Sequence, residues 1–313
     1  MKTIKKKLKK IFRSIFYKIF FYKYGRIKFK KTNNKNLVVR SVKINNRFQY
    51  PIYECLKSRL YTNRIQDTAI IQNNILLDKP SFQLRDNNFD HNIRKNIVLK
   101  IGTPRLLKKL NGNVASLLTG GGGNNNYFHW MFDVLPKIGI FEIFNDIKKI
   151  NYFLCPNLNS WQLKTLYLLG IKKNQCLSSV NFRHIQANNI ITTPHPWLKS
   201  KNIIKDMENI PPWINTWLRE KFIKKRSNKK FPKKIFIDRS DSNSNSRYIV
   251  NEKEVVNFLH SKGFVSIRLA DLKFEDEVKL FYDAEMVVGL QGAGLTNLIY
   301  GSKNLLLFLV AKK

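Results

Sequence analysis

The sequence predicts an α/β protein that contains a parallel, doubly wound sheet. In residues 231–313, short apolar runs alternate with helix-like stretches of about ten residues, a pattern typical of parallel sheets. Similar buried runs occur earlier in the chain, at 113–118, 151–155 and 189–193. Of the 313 residues, 43% are hydrophobic and 12% aromatic, which is enough to fill protein cores and excludes wholesale disorder.

The chain begins with a basic arm, residues 1–31, that holds 13 Lys or Arg and no Asp or Glu. Its apolar residues from Ile4 to Phe20 recur at three- and four-residue spacing, which predicts an amphipathic helix. No apolar run reaches the roughly 18–20 residues that span a bilayer, and basic residues interrupt any signal-peptide core. We expect residues 1–24 to contact an anionic membrane surface. The alternative is a first helix that packs its apolar face on the rest of the protein.

Two candidate domains follow the arm, residues 32–230 and 231–313. The boundary is placed where Pro211-Pro212 and a Ser- and Lys-rich stretch interrupt the pattern. Within 32–230 we predict a strand at Ile97–Leu99 and a helix over Tyr127–Ile143 that Pro136 kinks or breaks.

In residues 231–313 the pattern is regular enough to assign each element. Helices are expected at Asn251–Ser261 and Phe274–Ala284. In a doubly wound sheet, ligands bind beyond the carboxyl ends of the strands. The predicted strands are Lys234–Asp238, Phe264–Leu269, Glu285–Leu290 and Leu305–Val310.

The glycine-rich turn after the third of these strands is the stronger candidate site. Gly292 and Gly294 let a diphosphate approach the backbone, and Thr296 and Asn297 offer further hydrogen bonds from the first helical turn. The alternative is a tight strand–helix connection that needs small residues for packing. Arg239 and Arg247 follow the first strand of the same domain and could hold phosphate oxygens with their guanidinium groups. Each could equally be a solvated surface arginine.

The second candidate site is the pair His129 and Asp133, which share one face if the segment is an α-helix. A carboxylate that orients an imidazole makes it a better general base. The alternative is a partly buried core histidine with Asp133 as its partner. The remaining histidines show no comparable partner in the sequence and are interpreted as structural: His91, His184, His195 and His260.

The net charge indicates which classes of partner to expect, and the cysteines indicate the cellular compartment. With 57 Lys or Arg against 21 Asp or Glu, the net charge of +36 favours anionic ligands, including nucleotide phosphates and nucleic acids. No helix-turn-helix or aromatic RNA-binding motif accompanies the charge, so we expect no nucleic acid partner. The three cysteines are too scattered for a disulfide framework, which predicts a reducing, cytoplasmic compartment. No spacing of acidic residues predicts a metal site.

Several motifs, in order, resemble those of glycosyltransferase family 61. They are Gly-Gly-Gly-Gly-Asn-Asn-Asn-Tyr-Phe-His-Trp-Met-Phe-Asp-Val-Leu-Pro at 120–136, Ile-Asp-Arg-Ser…Arg-Tyr-Ile-Val-Asn-Glu at 237–252, Gly-Phe…Leu-Ala-Asp-Leu at 263–272 and Ala-Glu-Met-Val-Val-Gly-Leu-Gln-Gly-Ala-Gly-Leu-Thr-Asn at 284–297. The resemblance covers about residues 110–310. Bacterial members of the family act in capsular polysaccharide synthesis.

The resemblance implies two Rossmann-like domains in a GT-B-like arrangement and an inverting transferase that needs no metal or other cofactor. Residues 32–230 would present the acceptor and residues 231–313 would bind a nucleotide-sugar donor. His129 and Asp133 fall on the family's candidate base and orienting positions. The presumed donor-binding positions are matched by Arg239, Arg247, Gln291, Gly292, Gly294, Thr296 and Asn297.

Three features depart from the family pattern. Gln291 stands where members usually carry His, and Asp276-Glu277 stands where a Glu-Gln pair is common. The chain also ends at Lys313, just after the last predicted strand, so a shortened C-terminus is expected relative to the family.

Together these observations predict a glycosyltransferase that moves a sugar from a nucleotide-sugar donor to a glycan or lipid-linked acceptor in capsular or surface polysaccharide synthesis. It would be cytoplasmic and peripheral on the inner face of the cell membrane. Two alternatives stay open: a non-catalytic relative that acts as a membrane-bound scaffold, and a basic nucleic-acid-binding protein.

Overall fold

The computed structural model describes residues 2–30, 37–64, 67–85, 88–89, 92–119, 125–144, 147–200, 202–240 and 249–310. Within them the protein is a mixed α/β structure. Packing divides it into two compact units. Unit 1 comprises Met1–Asn124, Phe132–Leu158 and Lys172–Pro211, and unit 2 comprises Asn125–Met131, Asn159–Ile171 and Pro212–Lys313. The boundary expected near residue 230 stays a prediction, because packing alone does not define a domain that folds by itself.

The first helix of unit 1, α1, spans Lys2–Tyr24, as the three- and four-residue spacing predicts. Its C-terminal end packs on the unit: Phe20 is buried, and the hydroxyl oxygen of Tyr24 accepts a hydrogen bond from the backbone N–H of Leu107 at 2.9 Å. The large apolar side chains one to two turns earlier, such as Phe12 with 71% of its surface exposed, face solvent. Among the described residues no helix is both long and apolar enough to cross a membrane.

Unit 1 is built on one mixed sheet. Its centre is parallel, in the order β12-β9-β10-β11. The connections from β9 to β10 and from β10 to β11 pass through helices, as crossovers between parallel strands usually do. Antiparallel hairpins extend the sheet beyond β12. Twelve of its strands lie in described residues: β1 Lys28–Phe29, β2 Leu37–Ile44, β3 Phe48–Leu56, β4 Arg59–Arg64, β5 Asp67–Gln72, β6 Ile75–Leu76, β7 Phe82–Arg85, β8 Asn88–Phe89, β9 Lys108–Ser116, β10 Tyr152–Cys155, β11 Cys176–Ser178 and β12 His184–Thr192.

The strand predicted at Ile97–Leu99 is wrong, because the chain there forms the short helix α2, Val98–Ile101. A run of three apolar residues cannot by its period be distinguished from one face of a buried helix. In the structure, Oδ1 of Asn96 accepts a hydrogen bond from the backbone N–H of Val98 at 3.2 Å, a local bond that favours a turn over an extended strand.

The helical stretch that contains the candidate base is continuous from residue 127 to 144. It consists of α3, Tyr127–His129, a π-helical segment, Trp130–Val134, and α4, Leu135–Phe144. The expectation that Pro136 breaks this helix is wrong, because α4 continues through Pro136 to Phe144. The kink expected at Pro136 stays a prediction. Pro136 lacks a backbone N–H, and it lies just after the π-helical segment, whose i→i+5 bonding is wider than that of an α-helix.

Unit 2 contains a four-stranded sheet in its described residues, with the order β14-β13-β15-β16 and every pair parallel. This confirms the parallel sheet that the alternating pattern predicts. The chain runs from β13 outward to β14 and then crosses back to β15, so the strand order reverses between β13 and β15. The strands are β13 Lys234–Asp238, β14 Val265–Arg268, β15 Met286–Leu290 and β16 Leu306–Val310.

Helices cover parts of this sheet, but the described residues leave the side chains of β16 half-exposed. Leu306, Leu307, Phe308 and Leu309 each expose between 42% and 52% of their surface. The remaining α-helices of the described chain are α5 Ser160–Leu168, α6 Ile203–Glu208, α7 Pro212–Phe222, α8 Glu252–Ser261 and α9 Phe274–Asp283. Among the 3₁₀ helices, the one at Ala293–Tyr300 follows β15.

Candidate functional site

A cavity of about 540 Å³ lies in unit 2 at the carboxyl edge of the four-stranded sheet. Asp238 and Arg239 line it at the end of β13, and Leu290 and the segment 292–295 line it after β15. This is the point where the strand order reverses, which is where open α/β sheets bind ligands. The full lining is Asn125, Asn126, Tyr127, Ser160, Trp161, Ile237, Asp238, Arg239, Leu269, Ala270, Leu272, Glu277, Leu290, Gly292, Ala293, Gly294, Leu295 and Asn297.

The two glycines of the turn after β15 are required for close packing. A Cβ on Gly292 would lie 2.9 Å from Nη1 of Arg239, and a Cβ on Gly294 would lie 2.9 Å from Cδ1 of Leu269. The backbone of Gly292 is extended, so the constraint is steric rather than conformational. The first N–H groups of the 3₁₀ helix that follows have no partner within the helix, and they begin at the cavity wall.

Arg239 is packed into this corner of the cavity. Its Nη1 donates a hydrogen bond to the backbone oxygen of Gln291 at 3.0 Å, which fixes the guanidinium beside Gly292. A guanidinium and the N-terminus of a helix that meet in one corner form an anion-binding arrangement. The side chain of Gln291 is exposed, and Gln291 does not line the cavity. Arg247, the second predicted arginine, lies outside the described residues.

A second part of the cavity wall is a chain of hydrogen bonds. The Tyr127 hydroxyl donates to Oδ1 of Asn297 at 2.6 Å, and Nδ2 of Asn297 donates to Oε2 of Glu277 at 3.1 Å. Burial raises the pKa of Glu277 to about 8, although the hydrogen bond from Asn297 opposes the shift. Burial, together with the negative charge of Glu277, also raises the pKa of Tyr127 and of Tyr300 well above its usual value.

The structure therefore places four of the predicted donor-binding residues at one cavity: Arg239, Gly292, Gly294 and Asn297. Thr296 is buried and is not part of the lining. Sequence reasoning missed Tyr127 and Trp161, and it noted Glu277 only as a departure from the family pattern. Asp276, its neighbour, is turned away into an ion pair with Nζ of Lys229 at 2.7 Å.

His129 and Asp133 differ in their surroundings. His129 is half-buried in unit 2, and its backbone N–H donates to Oδ1 of Asn126 at 3.3 Å. Asp133 is buried in unit 1, where its Oδ1 accepts from Nε1 of Trp197 at 2.8 Å and its Oδ2 lies 3.4 Å from Nε2 of His195. The role of Asp133 in orienting His129 stays a prediction, because each carboxylate oxygen can accept a second hydrogen bond.

The interpretation of His195 as a histidine without a comparable partner is wrong. Its Nδ1 accepts hydrogen bonds from the backbone N–H groups of Trp197 and Leu198, so its Nε2 is the nitrogen that carries the proton toward Asp133. Within the described part of the chain, no cluster of three or more His, Cys, Asp or Glu side chains is placed to hold a metal ion.

The fold and cavity of unit 2 define an α/β protein with a cavity where its parallel sheet changes strand order, the position at which such sheets bind ligands. The family model for glycosyltransferase 61 matches residues 127–307, more than half of the chain. The chain therefore belongs to glycosyltransferase family 61, which supports glycosyl transfer as its activity. No curated protein matches the chain.

Proposed function

We propose that this protein is an inverting glycosyltransferase that transfers a sugar from a nucleotide-sugar donor to a glycan or lipid-linked acceptor. The observation that carries the proposal is the corner of the cavity where Arg239 packs against Gly292 at the start of a 3₁₀ helix. That corner has the chemistry to hold a diphosphate, the leaving group of such a donor. Following the family resemblance, we place the reaction in capsular or surface polysaccharide synthesis.

The reaction is proposed as a single displacement. The imidazole of His129 accepts the proton of the acceptor hydroxyl while that oxygen forms a bond to the anomeric carbon, and Asp133 orients the imidazole. The bond from the anomeric carbon to the phosphate oxygen breaks, and its electron pair leaves with the nucleoside diphosphate. Arg239, Arg247 and the turn that begins at Gln291 and Gly292 stabilise this negative charge, so the proposal requires no metal ion. The sugar configuration inverts because the acceptor attacks the face opposite the leaving group.

Calorimetric titration with UDP, GDP and CDP and with their sugar derivatives tests the donor site. We expect the variant Arg239→Gln to bind the preferred diphosphate at least about tenfold more weakly, since a charged hydrogen bond contributes about 1.5–3 kcal/mol. The matched control is Arg268→Gln in the same unit, whose guanidinium is ion-paired with Asp271 on the surface. If Arg239→Gln and Arg268→Gln bind the preferred diphosphate with equal affinity, Arg239 does not contact the phosphates.

Three further measurements separate this proposal from its alternatives. Turnover that persists in EDTA agrees with metal-free chemistry, and its loss contradicts that part of the proposal. Binding of the donor without any turnover would identify the protein as the non-catalytic, membrane-bound scaffold. Tight oligonucleotide binding that falls steeply with salt, with no diphosphate binding, identifies a nucleic-acid-binding protein.

We also propose that α1 attaches the protein to an anionic membrane at the cytoplasmic face of the cell membrane. The supporting observation is that Phe12, Ile15, Phe16 and Ile19 form an exposed apolar stripe on a helix that carries basic and no acidic residues. Cations bind anionic headgroups while such a stripe enters the acyl boundary.

Sedimentation with liposomes that contain phosphatidylglycerol tests the attachment. The variant with Ser at positions 12, 15, 16 and 19 is expected to remain in the supernatant while the unaltered protein sediments. Phe20 is kept, because it is buried against unit 1 and its loss would disturb folding. Neutral liposomes serve as the control for charge, and equal sedimentation of both proteins would refute the attachment.

A further inference from the structure

One part of the cavity wall takes no part in the proposed phosphate site. Asn125, Asn126 and Trp161 line the same cavity as Arg239, but they belong to the segment before α3 and to the first turn of α5. All of these residues lie in unit 2. Tyr127 and Ser160, which adjoin them in the lining, are also uncharged at neutral pH, so this part of the wall carries no formal charge.

The two asparagines are oriented by bonds that use their carbonyl oxygens. Oδ1 of Asn125 accepts a hydrogen bond from Nδ2 of Asn159 at 2.9 Å, and Oδ1 of Asn126 accepts one from the backbone N–H of His129 at 3.3 Å. No hydrogen bond between residues in the described ranges uses the Nδ2 group of either side chain. Because both residues line the cavity, their two amide groups are available as hydrogen-bond donors to a ligand there.

The aromatic ring of Trp161 is held firmly beside these donors. Its ring centroid lies 5.3 Å from that of Tyr127, and Trp130 meets it edge to face at 6.0 Å. The backbone is fixed as well, because Asn159 and Gln162 close a capping box around the first turn of α5. A fixed indole ring offers a flat, electron-rich face that attracts the weakly positive C–H groups of a sugar ring.

We propose that Trp161, Asn125 and Asn126 form the subsite for the transferred sugar, and that this sugar is an uncharged one. The inference rests on the proposed function and deepens it by assigning the sugar and the diphosphate to different parts of one cavity. The ring face packs on Trp161, and sugar hydroxyl or acetamido oxygens accept hydrogen bonds from the two amide groups. His129 lies on the turn that Asn126 caps, so the candidate base and the sugar subsite are carried by one short segment.

The test compares the dissociation constants of a nucleotide sugar and of its free diphosphate for each variant. The probes with a neutral sugar are UDP-glucose, UDP-galactose, UDP-N-acetylglucosamine, UDP-xylose and GDP-mannose. UDP and GDP are the free diphosphates, and UDP-glucuronate is the charged sugar nucleotide. Asn126→Ser retains an oxygen that caps the helix but removes the amide donor. Trp161→Leu retains a helix-forming apolar residue but removes the ring. Asn202→Ser is the matched control, because Asn202 caps α6 in unit 1 in the same way.

Each variant at the wall is expected to raise the ratio of the two constants, sugar nucleotide over diphosphate, by about 3- to 12-fold, the effect of losing one hydrogen bond or a comparable contact. Binding of the free diphosphate should change less than about twofold, and Asn202→Ser should change neither. Binding of the free diphosphate shows that the cavity is folded, so a variant that has lost this binding is excluded as misfolded. The other of the two wall variants then tests the proposal.

The remaining outcomes overturn the inference. An unchanged ratio, with both ligands weakened alike, would assign Trp161 to the nucleotide instead of the sugar. The inference also fails if the unaltered protein binds a free diphosphate but none of the neutral sugar nucleotides, or if it prefers UDP-glucuronate to them. If the unaltered protein binds no diphosphate at all, the proposed function itself fails, and the sugar subsite fails with it.

Discussion

Replacing Glu277 with Gln isolates the effect of a carboxyl group buried in the cavity wall. Gln has the shape of a protonated Glu and keeps an oxygen that can accept the hydrogen bond from Asn297. The pKa of Glu277 in the folded protein is about 8, against an ordinary value of 4.5. Between these values the folded state holds a proton that the unfolded state releases. Stability therefore falls as the pH rises from about 4.5 through 8, and the variant lacks this loss.

The expected magnitude follows from the shift. Each pKa unit corresponds to about 1.4 kcal/mol, so the change from 4.5 to about 8 sets an upper limit of roughly 5 kcal/mol. Glu277 lines an open cavity, where water screens the charge, and we expect about 2 kcal/mol. Near pH 4, below the ordinary pKa of 4.5, the variant should equal the unaltered protein in stability, and near pH 9.5 it should be more stable by that amount.

The assay is urea unfolding followed by tryptophan fluorescence at pH 4 and pH 9.5, with each resolved transition fitted separately. Glu285→Gln is the control, because Glu285 is exposed and its Oε1 pairs with Nζ of Lys233 at 2.6 Å on the surface. Its stability difference from the unaltered protein should change by less than about 1 kcal/mol between the two pH values, because an exposed ion pair contributes little. If Glu277→Gln shows equal differences at both pH values, the carboxyl is ionised in the folded protein at neutral pH and the reasoning is refuted.

Three other substitutions have defined outcomes. Gly292→Ala should weaken diphosphate binding in calorimetry at least about fivefold, with little loss of stability. The reason is that the added Cβ would lie 2.9 Å from Nη1 of Arg239 and displace that side chain. Unchanged binding would contradict the proposal that the diphosphate lies beside Arg239 and Gly292. Asp133→Ala should reduce the unfolding free energy by about 2–3 kcal/mol, since the hydrogen bonds to its buried carboxylate are lost; a loss under 0.5 kcal/mol would contradict an anchoring role. Burial lowers the pKa of Lys137 to about 7, so the stability of the unaltered protein should rise with pH between about 7 and 10.5 from this group, and Lys137→Met should remove that rise in unfolding experiments across the range.

The sheet of unit 2 could be predicted well because each of its strands and helices is indicated by residues that are close together in the sequence. Each strand there is a short apolar run bounded by turn residues, and the helices between them carry their own apolar stripes, so the pattern determines both element type and order. The glycine turn after β15 was identified for the same reason. Its contact with Arg239 follows from topology, because the carboxyl ends of β13 and β15 meet at one edge.

The features that the sequence did not predict depend on distant residues. Asp133 is held by His195 and Trp197, more than 60 positions further along the chain, and no local pattern indicates that pairing. Trp161 reads as an ordinary helix residue until α5 is placed beside Tyr127. The π-helical segment has no sequence signal of its own except Pro136, which a periodicity analysis interprets as the end of a helix.

The open strand β16 has a practical consequence for handling the protein. Four successive large apolar side chains are half-exposed on a strand that pairs on one side only, with β15, among the described residues. The backbone groups on its other side can pair with the same strand of a second copy, which is how edge strands seed aggregation. We expect light scattering to increase steeply with protein concentration, and a lysine at position 307 to suppress that increase, because a charge on an edge strand prevents such stacking.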